Sequence, residues 1–241
     1  KRIGFSKQFR SRLYNNNESP FTRTRHIVEL YMDLGKILGI SQQVSRLEEL
    51  PVSKQNKKIV DEYFRKNKLT GKKIVMLAPG VGASGRQRIW PVGNYAKLAD
   101  RLIKNDLIVM FIGSPFDRAD IESIISLMKL KKKAYYDPNM FPLKQFFYAC
   151  TKAAVFVSND TGPMHVAAAQ GVRTLGLFGP NIPARWRPYG KGNDFIYHKL
   201  ECSPCIINEK GAIQKCCNKE YQKCMKLISV DEVYEKILKM I

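Results

Sequence analysis

An α/β fold, a mostly parallel sheet with helices on both faces, is predicted for this chain by three observations. From residue 73 onward, short β-branched and apolar runs alternate with stretches of helical periodicity. One unit shows the pattern in full. The run Val155-Phe-Val-Ser158 gives way to the polar turn Asn159-Asp160-Thr161-Gly162; Pro163 then opens a small-residue helix that Gly171 stops, and 172–179 follows as the next strand. Finally, parallel neighbours need a helix-length crossover, so the alternation sets strand direction as well. Residues 71–241 therefore read as one Rossmann-like domain, and residues 1–70 as the tail of a different unit.

Taken in order, Arg2-Ile3-Gly4-Phe5-Ser6 is strand-like and 15–20 is a loop. Ile27, Leu30, Tyr31, Leu34 and Leu38 fall on one helical face over 26–38, which Gly39 ends. Pro51 marks a connector. A short helix over 57–66 carries Ile59, Val60, Tyr63 and Phe64 and leads to a turn at 68–72. A buried strand at 73–79 precedes the glycine-rich loop 80–85, whose bare backbone permits close approach to a ligand. The helix 94–104 is followed by a strand at 107–112, a loop at 113–117 and a helix through Ile121, Ile124, Ile125 and Met128. Leu143, Phe146, Phe147 and Cys150 indicate a short helix before the strand at 155. Beyond Gly179 come a proline-rich loop to Gly192, a strand at 195–198 and a cysteine-rich loop. The last helix opens with the capping box Ser229-x-x-Glu232 and directs Val233, Ile237 and Ile241 inward.

Composition narrows the function class. With 241 residues, 44% of them hydrophobic, the chain is of ordinary globular type. No segment reaches the roughly 18 to 20 apolar residues of a membrane span, and the start of the sequence lacks a secretion signal's apolar core, so a cytosolic location is expected. A net charge of +20 favours anionic partners: nucleic acid, an anionic membrane surface or a phosphorylated substrate. Residues 1–26 concentrate Lys1, Arg2, Lys7, Arg10, Arg12, Arg23 and Arg25 against Glu18 alone. Five cysteines, Cys202, Cys205, Cys216, Cys217 and Cys224, crowd into one segment. They stand as reduced structural thiols, zinc ligands or disulfides; a second CxxC knuckle is missing.

Ligands of an open α/β sheet sit beyond the carboxyl ends of its strands, here the loops 79–90, 113–117, 159–165 and 179–189. Their polar residues form the candidate constellation: Ser84, Arg86, Arg88, Ser114, Asp117, Asp160, Thr161, Gly162 and His165. Thr161 and Gly162, at a helix N-terminus, suit a diphosphate, with Arg86 or Arg88 neutralising it; Thr161 is equally suited to capping that helix. Asp160 either orients a sugar hydroxyl or fixes the loop. His165 either donates to a phosphate or leaving group or is packed in place. Asp117 either holds a ribose hydroxyl pair or caps its own helix, and Trp90 either packs the loop or stacks on a base.

A family resemblance rests on four motifs. They are Gly82-x-x-x-x-x-Arg88-x-Trp90-Pro91; Ser158-Asn-Asp-Thr-Gly-Pro-Met-His165; Gly171-x-x-x-x-x-Leu-Phe-Gly179; and Cys202-x-x-Cys205 with Cys224-Met225 and Ile228. Through them the chain resembles the ADP-heptose:lipopolysaccharide heptosyltransferases of glycosyltransferase family 9, densely over 71–241 and loosely over 24–40. The resemblance implies a GT-B fold, with 71–241 binding the nucleotide sugar and 1–70 the remnant of a second, acceptor-binding Rossmann-like domain. It implies transfer of heptose from ADP-heptose, with inversion, to a phosphorylated lipid A inner-core acceptor, at the cytoplasmic face of the anionic inner membrane and without metal, cofactor or nucleic acid. Asp160, Thr161, Gly162 and His165 match the family's donor-binding loop. Arg88 stands where the family often has lysine, a planar fork in place of a point charge; Arg88 and His165 are the expected catalytic groups, stabilising the departing diphosphate. The family's opening strand, with its glycine loop and aspartate base, has no counterpart here, so these residues are expected to bind the sugar nucleotide but turn over poorly alone. Other readings are a different nucleotide sugar, a degenerate scaffold, or a basic nucleic-acid-binding module, the last weakened because the aromatics lie on core faces.

Overall fold

The computed structural model describes residue 3 and residues 24–139, 141–206 and 215–241. Apart from Ile3, the strand-like start, the loop 15–20 and most of the basic block at 1–26 lie outside them. Six strands form one sheet: β1 (Ile74–Ala78), β2 (Ile108–Phe111), β3 (Ala134–Tyr135), β4 (Val155–Asn159), β5 (Thr174–Phe178) and β6 (Asp194–Tyr197). Their spatial order is β3-β2-β1-β4-β5-β6 and every pairing is parallel. The doubly wound order reverses between β1 and β4, where Val75 is level with Val155 and Ala78 with Ser158.

Side-chain alternation along β1 sorts the helices into two layers. Val75 and Leu77 point to a core shared with α3 (Val92–Lys104), α4 (Arg118–Leu127) and α9 (Val230–Met240). Ile74, Met76 and Ala78 point the other way, to α2 (Lys54–Lys66), α5 (Leu143–Ala149) and α6 (Gly162–Ala169). Val60 and Phe64 of α2, with Leu69 just beyond, belong to this second core, although α2 precedes the boundary drawn at residue 71. Helix α2 begins at Lys54, three residues before the sequence-based start, and Ser53 caps it, its Oγ accepting from the Asn56 N–H at 3.2 Å.

Helix α1 (Ile27–Ile37) uses only part of its expected apolar face. Leu30 is fully buried, while Tyr31 and Leu38 are 61% and 62% exposed. Its cap is His26, whose Nδ1 accepts from the Val28 N–H at 3.2 Å. The proton therefore sits on Nε2, which donates to the Arg187 carbonyl at 2.8 Å. Tyr189 stacks on the same ring and its hydroxyl donates to the Val44 carbonyl, so the segment before α2 is fastened to the loop that precedes β6.

Single-turn helices α7 (Pro183–Trp186) and α8 (Lys223–Lys226) interrupt what the sequence presents as loops. Trp90 is fully buried, packs edge-on against Tyr95 and donates its indole N–H to the Ile228 carbonyl at 2.9 Å. A ring so enclosed cannot stack on a nucleobase, and the base-stacking alternative is withdrawn.

Candidate functional site

A cleft of about 760 Å³ opens beyond the carboxyl ends of β1, β2 and β4. One side is polar, formed by the backbone of Gly80 to Gly82 with Ser114, Asp117, Thr161 and Gly162. The other is apolar, with Ile112, Phe141, Leu143, Phe146 and Val166. Such a division suits a ligand with an anionic part and a flat or apolar part.

The polar side exists because two glycines lack side chains. A Cβ on Gly80 would stand 2.1 Å from the Asp117 carboxyl carbon, and one on Gly113 would meet Ile121 at 2.8 Å and Asp117 at 3.0 Å. Asp117 is held in that gap by its own loop: one carboxylate oxygen accepts from the Ser114 N–H at 2.8 Å and from the Ser114 hydroxyl at 2.7 Å. Ser114 and Asp117 thus form a capping box for the turn Pro115–Asp117 that leads into α4, while both line the cleft.

Thr161 is the residue that enters α6, in extended conformation, yet its side chain does not cap the helix. The hydroxyl turns back to the Asn159 carbonyl and Ser158 Oγ, each at 3.3 Å. That leaves the amino end of α6 facing the cleft at Gly162, where a Cβ would meet nothing within 4 Å. A helix N-terminus so placed favours negative charge.

Arg88 and Asp160 form a separate cluster and do not line the cleft. Arg88 donates to the Asp160 carbonyl at 2.8 Å and lies 3.8 Å from its carboxylate. Arg88 Nε is buried without a hydrogen-bond partner among the described residues. Asn181, from the loop after β5, donates to the Asp160 carboxylate at 2.7 Å. Burial pushes the Asp160 carboxyl up from the ordinary range, with Asn181 and Arg88 pulling it back. The 3-10 turn Ala83–Arg88 carries Arg88 there; its arm lies where a Cβ on Gly85 would come within 2.5 Å of the guanidinium.

Of the three other candidates, Arg86 and His165 lie apart from the cleft wall. Arg86 is paired bidentately with Asp120, and that carboxylate raises its pKa. The Ser84 side chain lies outside the described residues. His165, in the first turn of α6, is held neutral: burial first, and the nearby His26 second, lower its pKa to about 4. It can offer a neutral N–H but no positive charge at physiological pH.

Sequence reasoning passed over Asn159 and Asn181. Asn159 is fully buried at the end of β4; its amide nitrogen donates to the Pro79 carbonyl at 2.7 Å and its amide oxygen accepts from the Trp90 N–H at 3.1 Å. It ties the loop after β1 to the loop after β4 across the switch point. The signal available was an asparagine closing an apolar strand, a position that requires buried partners.

Comparison with known proteins bears on the family and the fold. The model of a family described as glycosyltransferase family 9 (heptosyltransferase) matches residues 1–215. The chain is 28% identical over 172 residues to a lipooligosaccharide heptosyltransferase 2 of Campylobacter jejuni, covering 70% of this chain and 52% of that one. Among solved structures, a glycosyl transferase family 9 protein from Veillonella parvula aligns with a TM-score of 0.78 and 22% identity, over 96% of this chain and 64% of its own. The ADP-heptose lipopolysaccharide heptosyltransferase II of E. coli aligns with a TM-score of 0.74 and 21% identity, over 99% and 69%. At those identities the solved structures speak to the fold alone. The chain spans about half the length of the curated relatives it matches.

Proposed function

Because this chain belongs to glycosyltransferase family 9, we propose that it supplies the sugar-nucleotide half of an inverting transferase that passes heptose from ADP-heptose to a phosphorylated lipid A inner-core acceptor. The observation that carries this reading is the amino end of α6 opening at Gly162 onto a cleft at the β1/β4 switch point. The diphosphate is assigned to Thr161, Gly162 and the Gly80 to Gly82 backbone, and the adenosine to the apolar wall. Departure of the diphosphate builds negative charge beside the α6 dipole. Arg88 serves from behind, by fixing the Asp160 backbone next to Thr161. His165 supports α6 as a neutral hydrogen-bonding group. Asp117 is the one carboxylate among the residues lining the cleft, and its bonds to Ser114 tie it to the loop. Deprotonation of the acceptor is therefore assigned to a group elsewhere in the protein. Residues 1–70 are assigned to the acceptor side, with α2 leaning on the nucleotide half. The enzyme is placed at the cytoplasmic face of the inner membrane.

Calorimetric titration tests the assignment. ADP-heptose is expected to bind more tightly than UDP- or GDP-sugars. Gly162→Asp places a carboxylate where the diphosphate would lie, in space the fold leaves open. Acidic residues are tolerated at a helix start, so its melting temperature is expected to hold while ADP-heptose affinity falls at least tenfold, about 1.4 kcal/mol. Unchanged affinity in that variant sinks the placement of the diphosphate.

A further inference from the structure

The five cysteines of the C-terminal segment line one cavity although three separate pieces of chain deliver them. Cys202 and Cys205 flank Ser203-Pro204, Cys216 and Cys217 adjoin, and Cys224 lies in α8. All five line a single cavity of about 10 Å³, the space of one water or ion. None is in a disulfide. Two sulfurs already accept hydrogen bonds, Cys202 from the Asn218 amide at 3.4 Å and Cys216 from the Gln222 N–H at 3.3 Å.

We propose that this loop binds one thiolate-preferring divalent ion, zinc by its tetrahedral four-sulfur chemistry, through Cys202, Cys205, Cys224 and one of Cys216 and Cys217. Among the described residues no three such side chains are already arranged as a ligand set, so the entering ion draws the sulfurs inward. Four thiolates and a divalent ion carry a net charge of −2; Lys223 on the cavity wall, with Lys215, Lys219 and Lys226 along the same segment, offsets it.

The position gives the ion a task. The Cys205 and Ile206 N–H groups donate to the Pro180 carbonyl at 2.9 and 2.8 Å, and Ser203 Oγ donates to the Gly179 carbonyl. Gln222 donates to the Arg86 carbonyl at 2.6 Å, and Gln87 lines the cysteine cavity. Pro180 precedes Asn181, and Arg86 and Gln87 precede Arg88. A closed metal loop therefore braces both ends of the cluster around Asp160.

Elemental analysis of the full chain, purified under reducing conditions without chelator, is expected to find one equivalent of zinc. Titrating metal-stripped chain with Co²⁺ is expected to give a thiolate-to-cobalt charge-transfer band with a one-to-one endpoint. Cys205→Ser and Cys224→Ser are expected to lose the ion, and of Cys216→Ser and Cys217→Ser one is expected to keep it. The cobalt titration reads the wild-type chain and so does not depend on the variants folding. Absence of both bound zinc and the cobalt band overturns the proposal, as does mass spectrometry showing these cysteines paired in disulfides.

Discussion

His26, which caps α1, lies close enough to His165 in the first turn of α6 to lower its basicity, and burial leaves both less basic than a free imidazole. For His165 the folded value is about 4 against an ordinary 6.5. Between those limits an unfolded chain takes up a proton that the folded one refuses. Stability is thus fully present above about pH 6.5 and declines as pH falls toward about 4. Denaturant melts at pH 7.5 and 5 are expected to show that loss, and His165→Gln is expected to flatten it. A slope equal in both proteins assigns the effect to other groups. His165 was legible from the sequence as part of the motif, but its neighbour was not, because His26 is brought to it only by the docking of α1 on 187–189. The same limit applies to Asp160. Its position on a strand-end loop follows from local pattern, whereas its bonds to Arg88 and Asn181 depend on three loops meeting.

Elements with strong periodicity or a recognisable cap matched the sequence pattern. Ser229 accepts from the Glu232 N–H at 3.1 Å at the head of α9, one half of the expected capping box, while the Glu232 carboxylate pairs with His198 at 2.8 Å; Val233 and Ile237 are fully buried. Ser229→Ala is expected to cost about 1 kcal/mol in chemical denaturation, with no effect on ADP-heptose affinity, since the residue lies away from the cleft. A cost under about 0.3 kcal/mol shows that packing alone holds the helix. Short elements escaped the pattern. β3 has two residues, and α7 and α8 a single turn each, too short for a period to emerge. Likewise the 3-10 turn that positions Arg88 looked like an open glycine loop, since its glycines say that backbone is close to something without saying to what.

At the scale of the whole molecule, the parallel sheet and its two layers follow from the alternation of patterns, and the strand order could be seen only in three dimensions. The net charge of +20 acts at this scale too. Among the described residues no helix is long and apolar enough to cross a membrane, and a net positive charge favours adsorption to anionic lipid. Co-sedimentation with phosphatidylglycerol-containing vesicles is expected at low salt, with release as screening grows and no binding to neutral vesicles. Retention on neutral vesicles at high salt requires an apolar anchor in its place. The sheet order also bears on how the protein is made. Its central pair joins β1 and β4, about 80 residues apart, and α9 closes over α3 through Arg101 and Asp231, with Ile228 receiving the Trp90 indole. A nascent polypeptide emerging from the ribosome therefore holds exposed apolar strands until α9 has been released, and productive folding must wait for that helix.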